Sequence, residues 1–335
     1  PFKTLGKVTE AMGTMDTHQL EKIVVWMNAG VYPLINPILI DSSVKKSDVL
    51  VQFKAVEGSE PIISGAIALE EWTSSGQGLW VSKISNDIAP FRELFVQGKR
   101  AIRARHPNNE YLRVKEVGTD RRTNFTYHAG DFPQPKKPEE VELALLHDWS
   151  ITRIPIAHID VETHSIHAVD SIGAKGLNFF NLDNWEPNPR YYLENSFEFL
   201  DAEYEWFLDS AASKVPPDMD PSQLSIEVPL AESLLVVEGS EQNPISNISF
   251  EGISFKYCRW NIPNDTYAGI QACHFDTQKG KKAWEVVPAA IRTTWASNIL
   301  FENCEFSSLG GSGIWLGTGT KNSTIRKCRI TDISG

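Results

Sequence analysis

Two stretches near the C-terminal end decide the fold: Asn298-Ile-Leu-Phe-Glu-Asn-Cys-Glu-Phe306 and Ser323-Thr-Ile-Arg-Lys-Cys-Arg-Ile330. Aligning Cys304 with Cys328 gives a spacing of 24 residues, the length of one coil of a β-solenoid. An earlier copy, Asn247-Ile-Ser-Phe-Glu-Gly-Ile-Ser-Phe255, places Ile253 51 residues before Cys304, which reads as roughly two coils with an insertion. A single coil is too small to bury its own apolar row, so Ile, Phe and Cys at equivalent places must stack on the next coil. Asn at a corner tolerates left-handed backbone and bonds locally. Between the copies, Gly310-Gly-Ser-Gly-Ile-Trp-Leu-Gly-Thr-Gly319 supplies sharp bends and one more short strand. The expected fold is all-β, a right-handed parallel β-helix.

Working outward, residues 16–28 read as a helix capped by Asp16, with Leu20, Ile23, Val24 and Met27 on one face and Gly30 as its stop. Short β-rich runs follow, from Gly30-Val-Tyr-Pro33 to Pro61-Ile-Ile-Ser-Gly65, with no helix-sized stretch between them. That spacing argues against a parallel α/β fold. From about 70 to 200 the pattern turns antiparallel, with a hairpin at Gln97-Gly98 and a strand pair at Val141-Glu-Leu-Ala-Leu-Leu146 and Ile151-Thr-Arg-Ile-Pro-Ile156. Glu205-Trp-Phe-Leu-Asp209 and Leu224-Ser-Ile-Glu-Val228 read as a further pair. The expected organisation is first rungs in 1–84, an inserted antiparallel, sandwich-like β domain in 85–200, and rungs again in 201–335.

The chain has 335 residues, 43 acidic against 32 basic, for a net charge of −11, which disfavours a nucleic-acid partner. Its basic cluster, Lys99-Arg100 with Arg103 and Arg105, reads as a solvated hairpin face rather than an anion site. The 4 cysteines have no zinc or redox spacing, though a disulfide is compatible with them. No apolar run is long enough for a membrane span. Sequons stand at Asn124, Asn247, Asn264 and Asn322. A secreted or periplasmic location is the expectation, on the view that the start at Pro1 reflects a trimmed terminus.

The ordered blocks Gly30-Val-Tyr-Pro-Leu34, Pro61 to Ala66, Glu93 to Asn108, Val141 to Arg153, Asn195 to Asp201, Glu205 to Asp209, Glu232 to Gly239 and the rungs from 247 onward resemble the parallel β-helix glycoside hydrolases, most of all glycoside hydrolase family 141. The resemblance implies an enzyme acting on plant cell-wall glycans, of α-L-fucosidase or xylanase type. It also implies that the family's acidic pair lies in rungs later than any in this sequence, which stops in mid-rung at Ile333-Ser-Gly335. A fragment, a second chain continuing the helix, or a lost activity would each fit.

Glycoside hydrolysis needs two carboxyl groups, one to protonate the leaving oxygen and one to attack or to activate water. Glu302 and Glu305 stand 24 residues before Arg326 and Arg329, so both read as rungs of a salt-bridge ladder. Asp332 has no such neighbour and is one catalytic candidate; Asp276, in the long excursion at 258–297, is the other. His274 beside it and Trp260, Trp295 and Trp315 are the candidate sugar contacts, because aromatic faces offer a flat apolar platform and His a directional hydrogen bond. Trp284 is a weaker one, and core packing competes for all the tryptophans. His147 and Asp148 beside Trp149 read as a structural hydrogen-bonded group. His158, His164 and His167 near Asp160, Glu162 and Asp170 are a remote metal possibility. Gly311-Ser-Gly reads as a rung turn, and no nucleophile elbow, P-loop or H-E-x-x-H is present. No cofactor is expected, with Ca²⁺ the alternative. A polysaccharide lyase and a non-catalytic glycan-binding module are the competing functions.

Overall fold

The computed structural model describes residues 2–334 apart from 47, 77–78, 86–87, 148–149, 174–180, 185, 210–211, 216–222, 262–266, 269–274 and 278–283. Three parallel sheets wind together as a right-handed β-helix. The first stacks Lys22–Met27, Leu50–Ala55, Ile245–Glu251, Ala296–Glu302 and Thr324–Arg326. The second stacks Gly30–Pro33, Pro61–Ser64, Ser254–Cys258, Glu305–Leu309 and Arg329–Ile333; the third, Ile38–Ile40, Leu235–Glu238, Ala289–Thr294 and Ser312–Leu316.

The repeat seen in the sequence is the strand register. Leu300 faces Thr324, Phe301 faces Ile325 and Glu305 faces Arg329, each 24 residues apart. The 51-residue step needs correction: Phe250 pairs directly with Phe301 and Phe255 with Phe306, so it is one coil lengthened by an excursion, not two. Inward-pointing rings make the stacking explicit. Phe53, Phe250 and Phe301 form a ladder with centroids 5.0 and 5.1 Å apart, and Phe255 lies 5.2 Å from Phe306. At the corner into the first sheet, Asn247 and Asn298 take φ of 60° and 53°, and the Asn298 amide donates to Asn247 Oδ1 at 3.0 Å.

The expected helix at 16–28 is not formed. The helix is Leu5–Thr14, capped by Thr4 Oγ1 accepting from Lys7 N, and it buries Leu5, Val8 and Met12 against the start of the solenoid core. Lys22–Met27 is a strand instead, because Ile23-Val24-Val25 is β-branched and a partner strand is available.

Two excursions leave the solenoid from the same corner, between the second and third sheets. One departs after Ser64 and returns at Leu235; the other departs after Cys258 and returns at Ala289. Gly65 makes the first departure, and a Cβ there would lie 2.4 Å from the Tyr257 carbonyl oxygen. The large excursion is antiparallel, with its own core around Phe125, Tyr127, Tyr191, Leu193 and Phe199. The hairpin at Gln97-Gly98 and the pair Glu142–His147 with Ser150–Asp160 form as the sequence suggests. The pairing of 205–209 with 224–228 does not: Glu205–Asp209 pairs with Ala212–Val215 and, in parallel, with Ile102–Arg103, while Ile226–Pro229 joins Phe95–Val96 and Ala66–Ala68. The small excursion reaches the large one, since Tyr267 pairs with Arg153.

Candidate active site

Where the two excursions meet the solenoid corner, a cleft of about 380 Å³ opens. Its floor is a charged network. Glu142, from the strand Glu142–His147, is buried among Arg92, Arg103 and Arg153. Arg92 grips it with both terminal nitrogens, Arg103 Nη1 approaches to 3.3 Å and Arg153 Nη1 to 2.8 Å. Arg153 also donates to Glu194 at 2.7 Å and to the Tyr192 hydroxyl at 2.8 Å. Burial opposes the Glu142 charge, yet the three guanidiniums outweigh it and hold the carboxyl far below its usual range. The expectation that Arg100, Arg103 and Arg105 form a solvated face is therefore corrected: all three line the cleft.

Glu93 is the carboxyl that sequence reasoning did not single out. It is 8% exposed, lines the cleft and leaves Oε2 without a hydrogen-bond partner. Burial pushes its pKa up to about 6; Arg100, Arg92, the Trp260 amide and Arg103 pull the other way without cancelling that. Gly310 permits this approach, because a Cβ there would sit 2.6 Å from Trp260 N and 2.7 Å from Glu93 Oε1. A signal existed in Phe91-Arg-Glu-Leu-Phe-Val96, where a charged pair interrupts an apolar run.

Of the sequence candidates, Trp260 lines the cleft, its ring edge-on to Tyr267 at 4.8 Å. Asp332 sits at the rim, where Oδ1 accepts from Arg100 Nε at 2.9 Å; Arg100 also donates to the Leu309 carbonyl at 2.9 Å. Asp332 thus has a neighbour that the sequence did not reveal, supplied by a hairpin 232 residues earlier. Trp295 and Trp315 do not line the cleft. Trp295 occupies a corner at φ 47° against Gly319, and Trp315 lies on the outer face of the third sheet with Arg292 4.9 Å above its ring. Asp276 belongs to the strand Phe275–Thr277, opposite Glu285, but its side chain and that of Trp284 lie outside the described residues, as does His274.

The other expectations sort as follows. Glu302 pairs with Arg326 at 2.6 Å as the ladder requires, whereas Glu305 turns to Lys256 at 3.3 Å. His147 is buried, bonded to Thr152 at 3.2 Å and pushed down to about 4 by burial and Arg122; Asp148 and Trp149 lie outside the described residues. His158 stacks on His167 at 4.1 Å, and no metal-ligand cluster occurs among the described residues. Cys258, Cys304 and Cys328 are free thiols. No helix is long and apolar enough to cross a membrane.

Comparison with known proteins agrees with this architecture. The family description "GH141 insertion domain" matches residues 77–216, and "Right handed beta helix region" matches residues 232–335. A solved structure described as a glycoside hydrolase superposes with a TM-score of 0.80 at 21% identity, covering 97% of this chain and 61% of its own length. The chain therefore spans about three fifths of that protein. A structure of XylC with xylose, at 12% identity, 95% and 39% coverage and a TM-score of 0.40, is too different in shape to bear on the site. No curated protein sequence matches the chain.

Proposed function

We propose that this chain, a GH141-like parallel β-helix with the family's insertion domain, is a glycoside hydrolase whose substrate lies in the cleft between insertion and solenoid. One observation carries the reading: a buried carboxyl with a raised pKa, Glu93, faces a cleft that also presents the aromatic ring of Trp260. A carboxyl that keeps its proton to about pH 6 suits the general acid that protonates a departing glycosidic oxygen. Asp332, across the Arg100 guanidinium, is the candidate for the second carboxylate, attacking the sugar or activating water. The substrate we propose is a plant cell-wall or related polysaccharide, cleaved as by a fucosidase or xylanase, in a secreted or periplasmic setting.

The test is a screen of the purified chain and its Glu93→Gln variant on fucosylated pectin fragments and xylan. The reading expects new reducing ends from the wild-type chain and a loss of roughly 10²-fold or more in the variant. Full activity in E93Q would remove Glu93 from the mechanism. Unsaturated products in place of new reducing sugar would turn the assignment to a lyase.

A further inference from the structure

The cleft carries a charge that a neutral glycan does not use. Five guanidiniums line it, those of Arg92, Arg100, Arg103, Arg105 and Arg153. The carboxylates paired with them are three: Glu142, Glu194 and Asp332. Glu93, the remaining acid, is biased toward its neutral form, so the walls keep an excess of positive charge in a chain whose net charge is −11. Crowding among the cations is itself visible, since burial and the neighbouring Arg92 lower the Arg103 pKa. An anion entering here would relieve that repulsion.

Arg105 is placed to receive it. Its guanidinium stacks 4.0 Å from the Tyr192 ring centroid, held flat by Nε donating to the Pro107 carbonyl at 3.0 Å and Nη2 to the Glu110 carbonyl at 3.3 Å. Among the described residues, no carboxylate lies within ion-pair distance of it. A stacked, oriented fork of this kind matches a planar carboxylate better than a lysine or a mobile surface arginine would. A ring such as Trp260 can hold the sugar face while the fork takes the charge.

We infer that the cleft selects glycans carrying a carboxylate, that is, uronic-acid residues, with Arg105 as the residue that recognises the charge. The inference rests on the cleft being the glycan site proposed above. It is tested by calorimetric binding of trigalacturonate, its methyl ester and a sulfated galactan oligosaccharide to the intact chain, without turnover as the readout.

The expected result is at least a tenfold preference for the acid over the ester at low ionic strength. That preference should shrink at about 1 M salt, where the screening length falls to about 3 Å. Arg105→Gln should reduce it to less than about threefold. Arg105→Lys, which keeps the charge and the stem over Tyr192 but not the fork, should also lose most of it, and it serves if the glutamine variant fails to fold. Equal affinity for acid and ester, no binding of either, a stronger preference for the sulfated sugar, or an acid preference untouched by both variants would each overturn the inference. Hydrolysis is scored separately. Acid-selective binding without cleavage would fail the hydrolase reading alone, and cleavage of neutral glycans without acid preference would fail this one alone.

Discussion

At Glu93 two effects compete and their balance is measurable. Removal from water raises the carboxyl pKa; Arg100, Arg92 and Arg103 lower it, and it settles at about 6 against an ordinary 4.5. Between those values the folded chain holds a proton that the unfolded chain has released. The stabilisation is therefore present below about pH 4.5 and lost as pH rises through about 6, and a difference of this size corresponds to about 2 kcal/mol. E93Q cannot ionise. Its stability relative to wild type should rise by about 2 kcal/mol between acidic and mildly alkaline pH, read by urea denaturation. A constant difference across that range would mean that Glu93 ionises as freely as in water. Such a residue was hard to read from the sequence because its environment comes from segments around 92–105, 142–153, 192–194, 260 and 310, which only the fold brings together.

The element at stake next is the insertion's seam, where three arginines converge on Glu142. Removing one partner of a buried ionic group strands the others, so Glu142→Gln should cost about 3–5 kcal/mol in chemical denaturation. The Glu302–Arg326 pair offers the contrast: it lies on the outer face of the first sheet, and Glu302→Gln should leave the midpoint unchanged within error. Equal losses at both sites would show that the seam holds no special share of stability. Here the sequence was partly legible. The strand pair around Glu142 follows from its alternation and apolar run, and the 24-residue spacing identified the 302–326 contact. The helix was misplaced because Leu20, Ile23, Val24 and Met27 fit a helical stripe and a β-branched strand equally well, and the partner Leu50–Ala55 decided between them.

For the whole molecule, the solenoid core and the corner excursions are two consequences of one repeat. Stacked Phe53, Phe250 and Phe301 hold successive coils in register. Phe250→Ala should therefore cost about 3–5 kcal/mol and be felt by coils on both sides, as hydrogen exchange across Leu50–Ala55 and Ala296–Glu302 would show. Protection lost on only one side would argue against a continuous core. Because identical side chains recur at fixed intervals, this architecture was readable from the sequence; the cleft was not, since it forms where two excursions of different lengths leave the same corner.

The measurement that bears most directly on the account is a crystal structure of the chain, or of E93Q, with a bound cell-wall oligosaccharide. The account predicts a sugar ring against Trp260, a glycosidic oxygen within hydrogen-bond reach of residue 93, and an acidic group toward Arg105. A sugar seated along the third sheet beside Trp315, with the cleft empty, would contradict it.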